Sequence, residues 1–106
     1  MTWGVRALLV TLHTYVVKYK LHTIPELIQR WAPPEDGNAT NRYIAYVEEE
    51  VKQLDAPISL SLQDYDFLAK YQHPECILYT IVKAMCFIES RYNLDYGTYL
   101  NAIDLM

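Results

Sequence analysis

Apolar residues recur at steps of three and four through the first part of the chain, with polar residues between them. The apolar positions are Val5, Leu8, Leu9, Leu12, Tyr15, Val16 and Tyr19. This spacing places one apolar stripe on a helix of 3.6 residues per turn, as in a helix that packs one face on a core. We therefore predict a first amphipathic helix with these residues facing inward.

A capping box marks the start of a second helix. The Thr23 hydroxyl can accept a hydrogen bond from the backbone amide of Glu26, whose carboxylate can reach back toward Thr23. Pro25 falls in the first turn, where no amide partner is needed. The sequence thus predicts a helix that begins directly after Thr23.

The same helix ends at a double proline. Leu27, Ile28 and Trp31 are predicted to face inward, and Arg30 lies in the last turn. The following pair, residues 33–34, stops the helix because proline cannot donate a hydrogen bond and moves its predecessor out of the helical region. The residue types of the block Arg-Trp-Ala-Pro-Pro are therefore explained by the end of a helix, without a catalytic or binding role.

A third helix is predicted after a turn at Gly37, with Asn38 or Thr40 as its cap and its end near Leu54. The carboxylates of residues 48–50 point in different directions around a helix, which favours a solvated face over a metal site. The predicted inner face carries Tyr43, Ile44, Val47 and Val51.

The last half of the chain contains its most apolar helix, which opens at His73-Pro74-Glu75 and ends at Asn93-Leu94-Asp95. A short helix near 62–71 precedes it, and a final helix runs from Tyr96 to about Ile103. A helix apolar nearly all round belongs at the centre of a fold. Its apolar residues are Ile77, Leu78, Ile81, Val82, Ala84, Met85, Phe87 and Ile88. We predict an all-α fold, a compact orthogonal bundle of five to six helices, in one domain spanning residues 1–106.

Composition narrows the classes of function. The chain has 106 residues, of which 52% are hydrophobic, and its formal net charge is −4 with the basic residues scattered. A nucleic-acid surface would need those basic residues clustered, so protein partners fit the charge better. No apolar run approaches the roughly 20 residues of a membrane span. The first seventeen residues resemble a mature helix more than a signal peptide, which predicts a protein made in a reducing compartment.

Cysteines and histidines give no cofactor or metal site. Cys76 and Cys86 are ten residues apart in one predicted helix, hence roughly 15 Å apart, so we expect both to be reduced thiols. His13, His22 and His73 lie in different elements without the ligand spacing of a zinc site. We predict neither a cofactor nor a metal.

Glu89 is the strongest candidate for chemistry. It follows Phe87-Ile88 at the end of the central helix, and Glu89-Ser90 resembles the Glu-Ser segment of lytic transglycosylases and goose-type lysozymes. A carboxyl group among apolar neighbours can serve a glycosidase as general acid. The competing interpretation is a helix-end glutamate paired with Arg91, Lys83 or Arg6.

Tyrosine is the most over-represented aromatic residue, with ten in the chain. The last third holds Tyr65, Tyr71, Tyr92, Tyr96 and Tyr99. Core packing accounts for most of them, and an amphipathic ring is also common in contact surfaces. We take Tyr92, Tyr96 and Tyr99 as a candidate interface.

Five short blocks follow one another through the first half of the chain. They are Trp3–Ala7, Tyr15 with Lys18-Tyr19, Thr23-Ile24, Arg30–Pro34 and Asn38–Ile44. In this order they resemble a family of bacteriophage virion structural proteins, most specifically in the Arg-Trp-Ala-Pro-Pro block and the Thr-x-x-Tyr-Ile that follows it. Ile88-Glu89 fits the later part of the pattern.

The resemblance implies an all-helical fold and a phage or prophage origin, and with it a location in the virion or in the bacterial host cytoplasm. Longer members of the family carry an upstream Asn-Pro-Gly-Asn-Ile-Arg segment that this sequence does not show, and some relatives are linked to a lysozyme-like, cell-wall-directed role. The residues that match the structural motif are Thr23, Glu26, Arg30, Trp31, Pro33, Pro34, Thr40 and Tyr43.

Two hypotheses of function follow. The first is a phage structural or accessory protein that acts through contacts with another protein, such as a virion component. The second is a lysozyme-like peptidoglycan hydrolase with Glu89 as general acid.

Overall fold

The computed structural model describes residues 2–21, 23–54 and 77–105. Within these ranges every regular element is a helix and there is no β-strand, which confirms the predicted all-α bundle. The predicted helix near 62–71 lies outside the described residues, as do His22, His73, Cys76, Tyr65 and Tyr71. The helices are α1 (Thr2–Val17), α2 (Ile24–Trp31), α3 (Thr40–Lys52), α4 (Ile77–Ser90) and α5 (Tyr96–Asp104), with one 3-10 turn at Pro34–Asp36.

Helix α4 packs against both α1 and α3, while α2 packs on α3 and α5 packs on α1. Leu78, Ile81 and Met85 of α4 are fully buried. The prediction of an inward face holds less well at its last turn, where Phe87 and Ile88 are only half-buried. Helix α4 therefore reaches the surface at its C-terminal end, which bears on the candidate site.

Helix α1 buries the predicted stripe as far as Val16, apart from Tyr15. Val5, Leu9 and Leu12 are almost completely buried. Tyr15 is half-buried, and the prediction that Tyr19 faces inward is wrong, because α1 ends at Val17 and Tyr19 is 41% exposed. The helical period no longer directs a side chain once the helix has stopped.

The capping box at the start of α2 is confirmed. The Thr23 hydroxyl oxygen accepts from the Glu26 backbone amide at 3.3 Å, and the same hydroxyl donates to the Glu26 carboxylate at 2.8 Å. Pro25 lies in the first turn, as expected. The returning carboxylate thus meets the hydroxyl of Thr23, which fixes both side chains at the helix entrance.

The predicted caps of α3 are wrong. Ala39 occupies the cap position without a side-chain bond, and Thr40 is the first helical residue. The Asn38 amide donates to the Pro33 carbonyl at 2.9 Å, and the buried Thr40 hydroxyl donates to the Ala32 carbonyl. The Pro33 carbonyl also accepts from the Asp36 backbone amide at 3.1 Å, so both predicted caps bond back to the end of α2 instead of capping α3.

The tyrosines around α5 form a cluster that joins this helix to α4. The Tyr79 ring lies 5.3 Å from Tyr96 and 5.1 Å from Tyr99, both edge to face, and its hydroxyl donates to the Leu94 carbonyl at 3.1 Å. Tyr99 is fully buried. Tyr99 therefore belongs to the core of this fold and cannot serve the candidate interface, whereas Tyr92 and Tyr96 are half-buried at its edge.

Variants of Gly37 test whether the turn between α2 and α3 requires a left-handed backbone conformation. Its φ is +81°, and a Cβ built there meets no atom within 4 Å, so only backbone strain opposes a side chain. We expect Gly37→Ala to lower the free energy of unfolding by about 1 kcal/mol, and Gly37→Asn to cost less because asparagine tolerates the left-handed region. Urea denaturation of both variants checks this order, which equal effects of alanine and asparagine would contradict.

Candidate functional site

Three helices converge on one carboxylate oxygen. Oε1 of Glu89, in the last turn of α4, accepts a hydrogen bond from Trp31 Nε1 of α2 at 2.9 Å and from the Tyr43 hydroxyl of α3 at 3.0 Å. The two donors lie 58 and 46 residues away along the chain. The structure therefore brings together the tryptophan of the Arg-Trp-Ala-Pro-Pro block and the candidate catalytic glutamate.

Trp31 lies at the edge of the core. Its ring is half-buried and packs on the buried cluster, while its N–H points to Glu89. The predicted inward orientation holds for the ring face, and the polar end of the indole meets the surface. A tryptophan at such a boundary uses both its apolar body and its donor.

Tyr43 is the buried member of the triad, at 7% exposure. Burial raises the pKa of the Tyr43 hydroxyl far above its ordinary value, and the adjacent Glu89 charge and hydrogen bond raise it further. The hydroxyl therefore stays protonated and donates at every physiological pH. This donor role follows from position, since the sequence predicted Tyr43 only as an inward residue of α3.

Glu89 itself is exposed. Among the described residues its hydrogen-bond partners are two neutral donors, so the predicted pairing with Arg91, Lys83 or Arg6 is wrong for this part of the chain. Arg6 Nε donates to the Leu105 carbonyl at 3.0 Å, and the Arg91 guanidinium lies 5.2 Å from the Phe87 ring centroid. The carboxylate acts as the acceptor that joins α2 and α3 to α4.

Two surface depressions flank Glu89. One, of about 390 Å³, lies between α3 and α4 and includes Tyr43, Tyr46 and Phe87 in its lining. The other, of about 210 Å³, lies between α1 and α4 and includes Trp31. Glu89 is the only carboxylate among the residues that line either depression. The described lining thus lacks the second carboxylate that most glycosidases use.

An aromatic strip that the sequence did not predict lies beside the triad. Tyr46 of α3 stacks on Phe87 of α4 with ring centroids 6.1 Å apart and planes 14° apart, and Arg91 lies over the same Phe87 ring. The i to i+4 spacing of Phe87 and Arg91 was the signal available in the sequence. The stacking partner was not, because Tyr46 lies outside the predicted inner face of α3.

Arg30, the first residue of the Arg-Trp-Ala-Pro-Pro block, contacts α1. Its guanidinium carbon lies 4.0 Å from the Tyr19 ring centroid and 5.6 Å from that of Tyr15. Such cation–π contacts stabilise the packing of the two chain segments. Arg30 therefore has a structural role in the last turn of α2, where it contacts the rings of Tyr15 and Tyr19.

The remaining candidates add no reactive centre within the described ranges. Cys86 is a free thiol, and burial raises its pKa, which keeps it protonated and unreactive. His13 is half-buried. Among described residues no group of three or more ligands is placed to hold a metal ion. No described helix has both the length and the hydropathy needed to cross a bilayer.

The fold is a small all-α bundle with a hydrogen-bonded Trp-Glu-Tyr triad. No family model matches the chain, and no solved structure matches it. A segment of 44 residues is 50% identical to Protein P5 of Pseudoalteromonas phage PM2. The matched segment makes up 42% of this chain and 27% of that protein. The chain is thus similar, over less than half of its length, to a phage protein.

Trp31 variants test the contribution of the triad to stability. We expect Trp31→Ala to lower the free energy of unfolding by about 2 kcal/mol, less than for a fully buried tryptophan. Trp31→Phe keeps most ring contacts and should cost about 1 kcal/mol through the lost hydrogen bond. A double-mutant cycle of Trp31→Phe with Glu89→Ala should give a coupling of about 1 kcal/mol. Additive effects would show that the bond does not stabilise the fold.

Alkaline pH tests the environment of Tyr43. Because its pKa is raised in the folded state, the folded chain keeps a proton that the unfolded chain loses above pH about 10. The free energy of unfolding should therefore fall as pH rises past this value. Tyr43→Phe should make the fall shallower by about 1 kcal/mol per pH unit. Parallel stability profiles of the variant and the native chain, measured by urea denaturation, would contradict this.

Proposed function

We propose that the protein is a structural or accessory component of a phage particle and that it acts by binding another protein. The phage context is supported by the 50% identity over 44 residues to Protein P5 of a phage. The matched segment spans 27% of that protein, so the similarity supports a phage context and the location in a virion is part of our proposal.

One observation carries the choice of binding over catalysis. Oε1 of Glu89 accepts two hydrogen bonds, from Trp31 and Tyr43, and each donor comes from a different helix. A general acid must be positioned by its surroundings toward the group it protonates. The contacts that position Glu89 instead join α2 and α3 to α4, which favours a structural role for this carboxylate.

The surface chemistry also suits a protein partner. The net charge is −4, and the described surface combines exposed rings such as Tyr46 with isolated cations such as Arg42. Aromatic residues and arginine are enriched in protein contact surfaces, whereas a nucleic-acid site needs a continuous basic patch. We expect the partner to be a virion component.

The alternative function is a lysozyme-like peptidoglycan hydrolase that uses Glu89 as general acid. It is favoured by the exposure of Glu89 and by the two depressions that flank this residue. Peptidoglycan would then be the substrate, and the aromatic strip of Tyr46 and Phe87 would contact its sugars.

Glu89→Gln separates the two functions, because the glutamine carbonyl can still accept from Trp31 and Tyr43 while it cannot donate a catalytic proton. We expect the native chain to leave purified peptidoglycan uncleared, and both chains to sediment with phage particles purified after infection or prophage induction. Glu35→Gln, which changes an exposed carboxylate away from the triad, is the matched control.

Binding would be rejected as the main function if the native chain and Glu35→Gln both cleared peptidoglycan while a folded Glu89→Gln did not. Absence of the protein from purified particles would reject the virion assignment. Circular dichroism and thermal unfolding establish that each variant is folded before either assay.

A further inference from the structure

The surface between α3 and α4 forms a groove, defined here as the α3–α4 groove. Its lining includes the rings of Tyr46 and Phe87, the cations Arg42, Lys83 and Arg91, and the carboxylates of Glu50 and Glu89. It consists of two depressions, of about 390 and about 310 Å³. Tyr46 and Phe87 line both of them, so the stacked rings form the boundary that the two depressions share. The groove is therefore one elongated surface with an aromatic centre.

The aromatic centre of the groove offers apolar contact area, and little side-chain entropy is lost when a ligand binds there. Tyr46 is 37% exposed and Phe87 is half-buried, and their stacking orders both rings before any ligand arrives. Preorganised aromatic side chains lose little conformational entropy on binding. An apolar or aromatic side chain of a ligand fits this position.

One end of the groove carries positive charge. Arg42 and Arg91 line the depression next to Glu89, and both are exposed. The Glu89 oxygen already accepts from Trp31 and Tyr43, whereas no described residue is found as a hydrogen-bond partner of Arg42. Two guanidinium groups beside one engaged carboxylate give this end a net positive charge on a protein of charge −4. Guanidinium forks bind carboxylates in two-bond geometry.

We propose that the α3–α4 groove binds an extended segment of a partner protein in which an acidic residue stands next to an aromatic or large aliphatic residue. The carboxylate lies between Arg42 and Arg91, and the apolar side chain lies on Tyr46 and Phe87. This proposal rests on the proposed function, since it names the surface through which a virion partner is bound.

A peptide suits the groove better than a glycan strand. A saccharide needs several side chains that hydrogen-bond its hydroxyl groups; these lie in the depression that Thr80 and Asn93 line, whereas at the charged end the amide of Asn38 donates to the Pro33 carbonyl. The paired arginines instead select a carboxylate, and the rings select an apolar neighbour. Peptidoglycan fragments therefore serve as the competing ligand in the test.

The probe is an acetylated, amidated tetrapeptide of sequence Asp-Phe-Asp-Leu, titrated into the full isotope-labelled chain and followed by NMR. We expect amide shifts concentrated at Arg42, Tyr46, Phe87 and Arg91. Arg42→Gln should bind the peptide about tenfold more weakly, because it removes one of the two guanidinium contacts to the carboxylate. A peptide with asparagine at both aspartate positions should bind more weakly still, because it offers no carboxylate to either arginine. Tyr46→Ala should weaken binding by a similar factor.

Two control variants keep the result interpretable. Lys52→Gln removes an exposed cation from the other end of α3, and Tyr19→Ala removes an exposed ring from the region after α1. Both should bind the peptide like the native chain. A lysine-containing peptide, Lys-Phe-Lys-Leu, should not bind.

Several results would overturn the proposal: no shifts with the acidic peptide, shifts outside the groove, equal binding of the lysine peptide, or shifts in the groove with soluble peptidoglycan fragments alone. Its failure is distinguishable from that of the proposed function. If the chain sediments with phage particles but does not bind the acidic peptide, the virion role stands and the proposed groove ligand is rejected. If the chain binds the peptide in the groove but is absent from particles, the groove ligand stands and the virion role is rejected.

Discussion

The arrangement of α2 and α3 around the end of α4 depends on one acceptor, the Glu89 carboxylate oxygen that bonds to Trp31 and Tyr43. Helices α2 and α3 each bring a donor that is partly or fully removed from water, and an unsatisfied donor there would cost more than the bond itself contributes. The carboxylate satisfies both from the last turn of α4. The residue that looks most like a catalyst in the sequence thus holds the bundle together at the surface end of its central helix.

A second constraint operates between α2 and α3, where consecutive prolines remove backbone donors. Side chains after the prolines bond back to the end of α2, since Thr40 donates to the Ala32 carbonyl and Asn38 donates to the Pro33 carbonyl. Both residues were predicted as caps of α3. The same residue types can cap the helix that follows or bond to a preceding carbonyl, and the sequence alone does not distinguish the two.

The sequence predicted the helices of this protein better than it predicted the contacts of the candidate site. Apolar periodicity predicted the helices and nearly all of the buried face of α3, because most of the stability of a helix in a small protein comes from burying one apolar stripe. Tyr19 and Tyr99 show the limit, since a helix that stops early exposes one ring and a neighbouring tyrosine cluster buries the other. Glu89 was selected as a candidate from its flanks, but its partners lie 46 and 58 residues away, and no local pattern encodes such contacts. The pairing of Tyr46 with Phe87 was missed for the same reason.

The bond from Thr40 to Ala32 also bears on how the chain reaches its fold. It closes a loop of only eight residues, so α2, the 3-10 turn and α3 are joined by contacts that are close in sequence. Short loops lose little entropy on closure and tend to form early, whereas the ties to Glu89 close much longer ones. We expect the α2–α3 hairpin to assemble first and to present Trp31 and Tyr43 as a preformed receptor on which α4 docks.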